Sequence, residues 1–278
     1  MRRVARWALI SGAAGFGALA YVYLTLPDVR PLATANPATT AFIELRADEA
    51  HTLGKPAHRE QRWVSYERIS SHLKRAVLVA EDSAFWDHDG VDLEQLKESM
   101  EANFEKGRLA RGGSTITQQL AKNLYLSPSR NPIRKLRELI IARRLEASLS
   151  KRRILEIYLN VVEWGNGIYG AEAAARAYFQ KSAAALGPAE SALLAGALVN
   201  ARLLVPTRPN ARLLRRQRII LARMGSVTPP APAAPTDAPV AIERQDEPIT
   251  PAATTQEPPV TPAAVPGPLP PEGTPSPR

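Results

Sequence analysis

From Ser65 to Glu81 the apolar side chains Ile69, Leu73, Ala76, Val77 and Ala80 recur at the spacing that puts them on one face of an α-helix. A second helix is predicted after His88-Asp89-Gly90. Asp92 caps it with Gln95 in the capping-box position, and Leu93, Leu96, Met100 and Phe104 form its apolar stripe. The run from Gly107 to Gly113 breaks the pattern, and a third helix opens at Ser114 or Thr115. Further helices are marked by Ile133/Leu136/Ile140, by Ile154/Leu155/Tyr158/Leu159, by the Ala-rich Gly170–Tyr178 run, by Pro188–Val199 and by Asn210–Met224. Two-residue alternation is nearly absent. Residues 63–225 therefore read as a mainly α body with one core, interrupted by glycines at Arg111–Gly113 and Gly165–Gly170, and without an internal repeat.

The flanks behave differently. No charge occurs from Trp7 to Leu26, a length that matches the ~20 apolar residues needed to cross a hydrocarbon core. Residues 1–27 thus read as a single transmembrane helix behind a basic start, and Arg2, Arg3 and Arg6 place the N-terminus in the cytoplasm. The competing reading is a cleaved signal peptide ending near Ala33-Thr34-Ala35, but the apolar run exceeds the usual ~7–15 residues of such a segment. Residues 28–62 are polar, with no sustained period, and are expected to be a linker with room for a short strand. Most of the 25 prolines fall in 226–278, a tail expected to be disordered and partly polyproline II, because it cannot bury enough apolar surface to order itself.

Composition narrows the chemistry. There is no cysteine, which excludes a thiol nucleophile, a disulfide framework and a Cys-based zinc site. The net charge of +9 belongs to the body rather than the tail and points to phosphate-bearing or lipid partners. A body on the far side of the membrane makes nucleic acid an unsuitable partner.

Three segments carry candidate chemistry. In EDSAFWDHDG, Glu81 and Asp82 end the first helix beside Phe85 and Trp86, where lost solvation would raise a carboxyl pKa toward the range of a general base. The plainer reading is a solvated acidic loop. Glu81, Asp82 and His88 match no recognised metal spacing, so no metal site is assigned. In RGGSTITQQLAKN, two glycines before a helix start allow backbone amides to converge on an anion, and Ser114, Gln118 and Lys122 follow at i, i+4, i+8. A capping box of Thr115 with Gln118 would explain the same residues, and both can hold. In RNPIRKLRE, Arg130, Arg134, Lys135 and Arg137 surround Glu138; an ordinary Arg134–Glu138 surface pair is the alternative to a phosphate site. Trp164 and Asn166 in EWGNG could touch sugar, although aromatic packing accounts for the tryptophan equally well.

Together with KRRILEIYLN, EWGNGIYGAEAAARAYF and AESALLAGAL, these segments resemble the peptidoglycan glycosyltransferases of family 51, most closely the monofunctional biosynthetic kind. The resemblance implies a lysozyme-like helical fold that joins lipid II into glycan chains, with partners in lipid II, nascent glycan, the inner membrane and other wall-synthesis and division proteins. It places the body in the periplasm behind a single-pass inner-membrane anchor. It implies that Glu81 deprotonates the 4-hydroxyl of the acceptor GlcNAc, which attacks the anomeric carbon of the growing chain and expels lipid pyrophosphate with inversion. Glu138 is implied as the second glutamate, orienting cations or holding a divalent ion, Mg or Mn; no cofactor is otherwise required. The implied substrate-binding set is Asp82, Phe85, His88, Gly113, Ser114, Thr115, Gln118, Gln119, Lys122, Asn123, Arg130, Arg134 and Lys135. Some relatives carry arginine where this chain has Glu98. Only the Pro-rich tail follows Met224, so no transpeptidase is expected in this chain. Two other functions compete: a lytic transglycosylase or muramidase, which needs an acid but no phosphate-binding cations, and a non-catalytic anchored scaffold held to anionic lipid by its basic residues.

Overall fold

The structure is a computed structural model and describes residues 2–94, 97, 113–129 and 131–226. The expected helix over 92–104, Glu98 included, falls mostly outside these residues, as do Arg130 and the Pro-rich tail. Helix α1 runs Arg2–Leu24 and α2 runs Ala41–Thr52; the body continues through α3 (Ser71–Glu81), α4 (Ile116–Tyr125), α5 (Pro132–Ser148), α6 (Lys151–Val161), α7 (Ala171–Phe179), α8 (Pro188–Ala197) and α9 (Ala211–Arg223). Among the described residues no helix is long and apolar enough to cross a membrane.

Capping chemistry fixes most of these boundaries. The side chains of Thr40, Ser70, Thr115, Asn131, Ser150 and Asn210 each accept a hydrogen bond from a backbone N–H in the first turn that follows. Pro132 and Pro188 occupy first-turn positions where no N–H is needed. Asn210 confirms the expected start of the last helix, and α6 buries Ile154, Leu155, Tyr158 and Leu159 as its spacing required.

Three features depart from the reading of the residues. The expected linker 28–62 contains α2, whose Ile43 is buried, and Leu26, Val29 and Leu32 join the main core. The helical period of α2 is faint because charged residues share its surface, so tertiary packing rather than pattern defines it. Second, a small sheet forms from β1 (Glu60–Gln61), β2 (Glu163–Gly165) and β3 (Ile168–Tyr169) in the order β1-β3-β2, with β1 parallel to β3 and β2 antiparallel to it. Strands of two or three residues are too short to show alternation. Third, Ile133 and Leu136 announced α5 yet remain exposed, and its buried face is Glu138, Ile141, Ala142 and Leu145.

One hydrophobic core unites α3, α4, α5, α6, α7 and α8, with Phe85, Tyr158 and Trp164 among its largest members. Trp164 is 1 % exposed, so packing and not sugar contact is its place. Asn160 ties the β1 segment to this core. Its amide donates to Val64 O and Glu156 O at 2.9 and 2.8 Å, its Oδ1 accepts from Val64 N, and its carbonyl accepts from Gln61 Nε2. The same turn of chain demands glycine at 170, where φ is +85° and a Cβ would lie 2.7 Å from Asn160 O. Asn160→Ala would leave Val64 N–H and C=O without partners, and we expect it to destabilise the fold by roughly 2–4 kcal/mol in urea unfolding.

Candidate active site

The end of α3 and the start of α4 bring two adjacent carboxylates into opposite situations. Asp82, the C-cap of α3, is 1 % exposed and turned inward. Its Oδ2 accepts from Ile116 N at 2.9 Å, and both its oxygens lie 3.0–3.1 Å from His88 Nε2. Gly90 N–H donates to His88 Nδ1, which leaves Nε2–H as the donor to Asp82. Thr115 Oγ1 donates to Gly90 O and accepts from Gln118 N. The expected anion site at this helix start is therefore filled by the chain's own carboxylate. Of the residues expected among the substrate contacts, Asp82 and Thr115 are buried with their side-chain oxygens bonded to backbone and, for Asp82, to half-buried His88, while Phe85 packs in the core.

Glu81 points the other way, into a cleft of about 700 Å³ that it lines with Ser114, Gln119, Lys122, Val199, Arg212, Arg216, Ile219 and Arg223. Gln119 Nε2 donates to Glu81 Oε2 at 3.0 Å, and Tyr158 OH donates to Gln119 Oε1 at 3.0 Å. Burial raises the Glu81 pKa above its ordinary value; the Gln119 hydrogen bond, Arg216 and Lys122 oppose that rise, and Asp82 adds to it. Burial also lowers the pKa of Lys122, partly offset by Glu138 and Glu81. Lys122 makes no hydrogen bond or ion pair among the described residues, and its Nζ stands 6.0 Å from the Phe42 ring centre.

Glu138 does not line this cleft. It is 3 % exposed and accepts from Arg134 Nη1 at 2.6 Å and from Lys135 Nζ at 2.5 Å. Lys135 Nζ also donates to Ser114 Oγ and Gln118 Oε1, both at 3.1 Å. Glu138 thus reaches the cleft only through Lys135 and Ser114. Its two oxygens are already paired, and no group of three potential metal ligands occurs among the described residues. Ser114 and Gln118 of the expected i, i+4, i+8 face share Lys135, and Ser114 and Lys122 line the cleft, while Gln119, outside that face, meets Glu81. Asn123 turns instead toward a hollow of about 250 Å³ walled by Phe42, Arg46 and Glu163, which shares Gln119, Lys122 and Val199 with the cleft. Gly113 precedes Ser114 at a half-exposed position.

The arginines of α9 escaped the sequence reading. Arg212, Arg216 and Arg223 line the cleft opposite Lys122, and Arg216 Nε donates to Gly196 O at 2.9 Å. Gly196 permits that approach, since a Cβ there would meet Leu213 Cδ1 at 3.1 Å. The signal lay in ARLLRRQRIILAR, where Arg212 and Arg216 stand one turn apart.

With this geometry in view, the comparisons with known proteins are specific. The family described as transglycosylase matches residues 48–225. The chain belongs to that family. It is 51 % identical over 195 residues to a biosynthetic peptidoglycan transglycosylase of Dechloromonas aromatica (strain RCB), covering 70 % of this chain and 84 % of the relative. A protein of the same name from Aromatoleum aromaticum is 53 % identical with the same coverage, and one from Azoarcus sp. (strain BH72) is 56 % identical over 61 % of this chain and 73 % of its own.

The raised pKa of Glu81 has a consequence for stability. The folded transglycosylase holds that proton more tightly than the unfolded chain, so ionised Glu81 costs stability that is not felt below the unfolded value and is fully felt above the folded one. Glu81→Gln, neutral throughout, should raise the urea midpoint at about pH 8 and lose the advantage near pH 4. No difference at the higher pH would mean that burial does not govern this carboxyl.

Proposed function

We infer that this chain is a peptidoglycan glycosyltransferase that lengthens glycan strands from lipid II. The observation that carries the reading is the pairing of Glu81, a carboxyl with raised proton affinity, with unpaired cationic groups in one cleft. Glycosyl transfer from a lipid diphosphate needs both. Glu81 takes the proton from the acceptor's 4-hydroxyl as that oxygen bonds to the anomeric carbon of the growing chain; the bond from that carbon to the diphosphate oxygen breaks, and the diphosphate leaves with its electron pair. Attack from the face opposite the leaving group inverts the α linkage to β-1,4. Lys122 meets the developing negative charge, backed by Arg134 and Lys135, which Glu138 holds in place. Arg212 and Arg223 supply positive charge on the other wall, suited to the diphosphate of the second substrate.

A muramidase is not favoured by this arrangement. Its substrate carries no phosphate for Lys122 and the α9 arginines to bind, and its essential carboxyl works as an acid. A scaffold without activity would have no use for a half-buried glutamate facing cations left unpaired among the described residues.

The chain acts in the cell envelope. For its attachment, the uncharged run from Trp7 to Leu26 supports a retained single-pass anchor with the body on the periplasmic side, and exposed Leu9, Phe16 and Leu24 are side chains that lipid would cover.

Glu81→Gln should reduce lipid II polymerisation by at least ~10²-fold, the scale of a lost general base. A rate within a few-fold of the parent would remove Glu81 from the mechanism. Arg212→Ala and Arg223→Ala should each raise KM for lipid II by roughly 10-fold with a smaller effect on kcat, the size of a lost charge-assisted contact; unchanged KM in both would leave α9 without a substrate role.

A further inference from the structure

Tyr158 packs with no exposed surface at the centre of α6, and its hydroxyl makes one hydrogen bond, to Gln119 Oε1 at 3.0 Å. The Gln119 amide is thereby committed at both ends. Its Nε2 donates to Glu81 Oε2 at 3.0 Å and to Ser114 O at 3.4 Å. Gln119 is the one hydrogen-bond partner of the Glu81 carboxyl among the described residues, so Oε1 of Glu81 is left without one.

An amide can turn by half a revolution about its last bond at little intrinsic cost, exchanging its donor and acceptor ends. Turned that way, Gln119 would place a carbonyl oxygen against the Glu81 carboxylate. A donor fixed on the opposite side opposes it, and Tyr158 is that donor, aided by the weaker bond from Nε2 to Ser114 O. We propose that Tyr158 is a positioning residue for glycosyl transfer: it locks the Gln119 amide so that Oε2 of Glu81 is occupied and Oε1 is the atom that receives the acceptor's proton. The inference rests on Glu81 being the base. Burial, together with the negative charge of Glu81 and Asp82, holds the Tyr158 hydroxyl well above its ordinary pKa, so it remains a donor throughout the working pH range.

The other groups acting on Glu81 are Lys122 from α4, Arg216 from α9 with Arg212 and Arg223 along the same wall, and Asp82 beside it. None is hydrogen-bonded to Tyr158, so a substitution there acts on Glu81 through the amide. A donor facing a carboxylate lowers its proton affinity, and an acceptor in the same place raises it. Because the base must be ionised, releasing the amide moves the acid limb of the rate profile to higher pH.

The test measures kcat/KM for lipid II polymerisation against pH in the full-length parent, Tyr158→Phe, Gln119→Leu and the double variant. We expect the acid limb of Tyr158→Phe to move upward by about 0.5–1 in pH, so that the rate on that limb falls roughly 3–10-fold, the effect of one ordinary hydrogen bond. Gln119→Leu should move it in the same direction, and the double variant no further. A uniform loss of rate with the limb in place would mean that Tyr158 is only packing, and would overturn the proposal. So would additive displacements in the double variant. If Tyr158→Phe does not fold, Gln119→Leu decides alone: an unmoved limb means that no amide acts on Glu81. Retention of activity in Glu81→Gln would instead sink the base assignment, an outcome distinct from a fixed limb in the two amide-side variants.

Discussion

The buried hydrogen bond from Ile116 N–H to the Asp82 carboxylate, 2.9 Å long, joins the C-terminus of α3 to the N-terminus of α4. A helix start exposes unpaired N–H groups and positive potential, so an anion there is favourable. Supplying that anion from within the chain fixes the distance and rotation between the two helices. His88, held by Gly90, keeps the carboxylate in place from behind. Everything else in the cleft inherits this junction: Glu81 is the residue before Asp82, and Gln119 and Lys122 follow Ile116 by three and six positions on α4. Without the junction, neither the Gln119–Glu81 hydrogen bond nor the stance of Lys122 would be set.

Two carboxylates adjacent in sequence are thus put to contrary uses. Asp82 has its charge satisfied by a backbone N–H and an imidazole, and serves as structure. Among the described residues Glu81 has an amide on one oxygen and no hydrogen-bond partner on the other, in surroundings that disfavour its charge. That is an unfavourable position for a folded protein and a useful one for a base. Glu138 completes the contrast, with a cation on each of its two oxygens.

The helices of the body were legible because their apolar faces and caps coincide, as at Thr115 and Asn210. The small sheet and α2 were not, because two-residue strands have no period and α2 is held by contacts made far along the chain. For the site, the segments carrying Glu81, Lys122 and Glu138 could be found from residue types and spacing, whereas the division of labour within them could not. Which of Asp82 and Glu81 turns inward depends on where α4 begins in space, and which of Gln118 and Gln119 meets Glu81 depends on the rotation of that helix. The arginines of α9 were overlooked for a related reason: basic residues interleaved with leucine and isoleucine read as the solvated side of a core helix until α8 is seen to lie against it.

The charge balance of the cleft follows from the same geometry. Of the cations near Glu81, Arg134 and Lys135 are neutralised by Glu138, while Lys122 is left unpaired and Arg216 is anchored by a carbonyl rather than an acid. An excess of positive charge around one half-buried carboxylate would ordinarily hold that carboxylate ionised and weak as a base; here desolvation outweighs the cations and leaves the net shift upward. Entry of a diphosphate would neutralise those cations and remove their restraint on Glu81. Loss of that restraint would raise the proton affinity of Glu81 further.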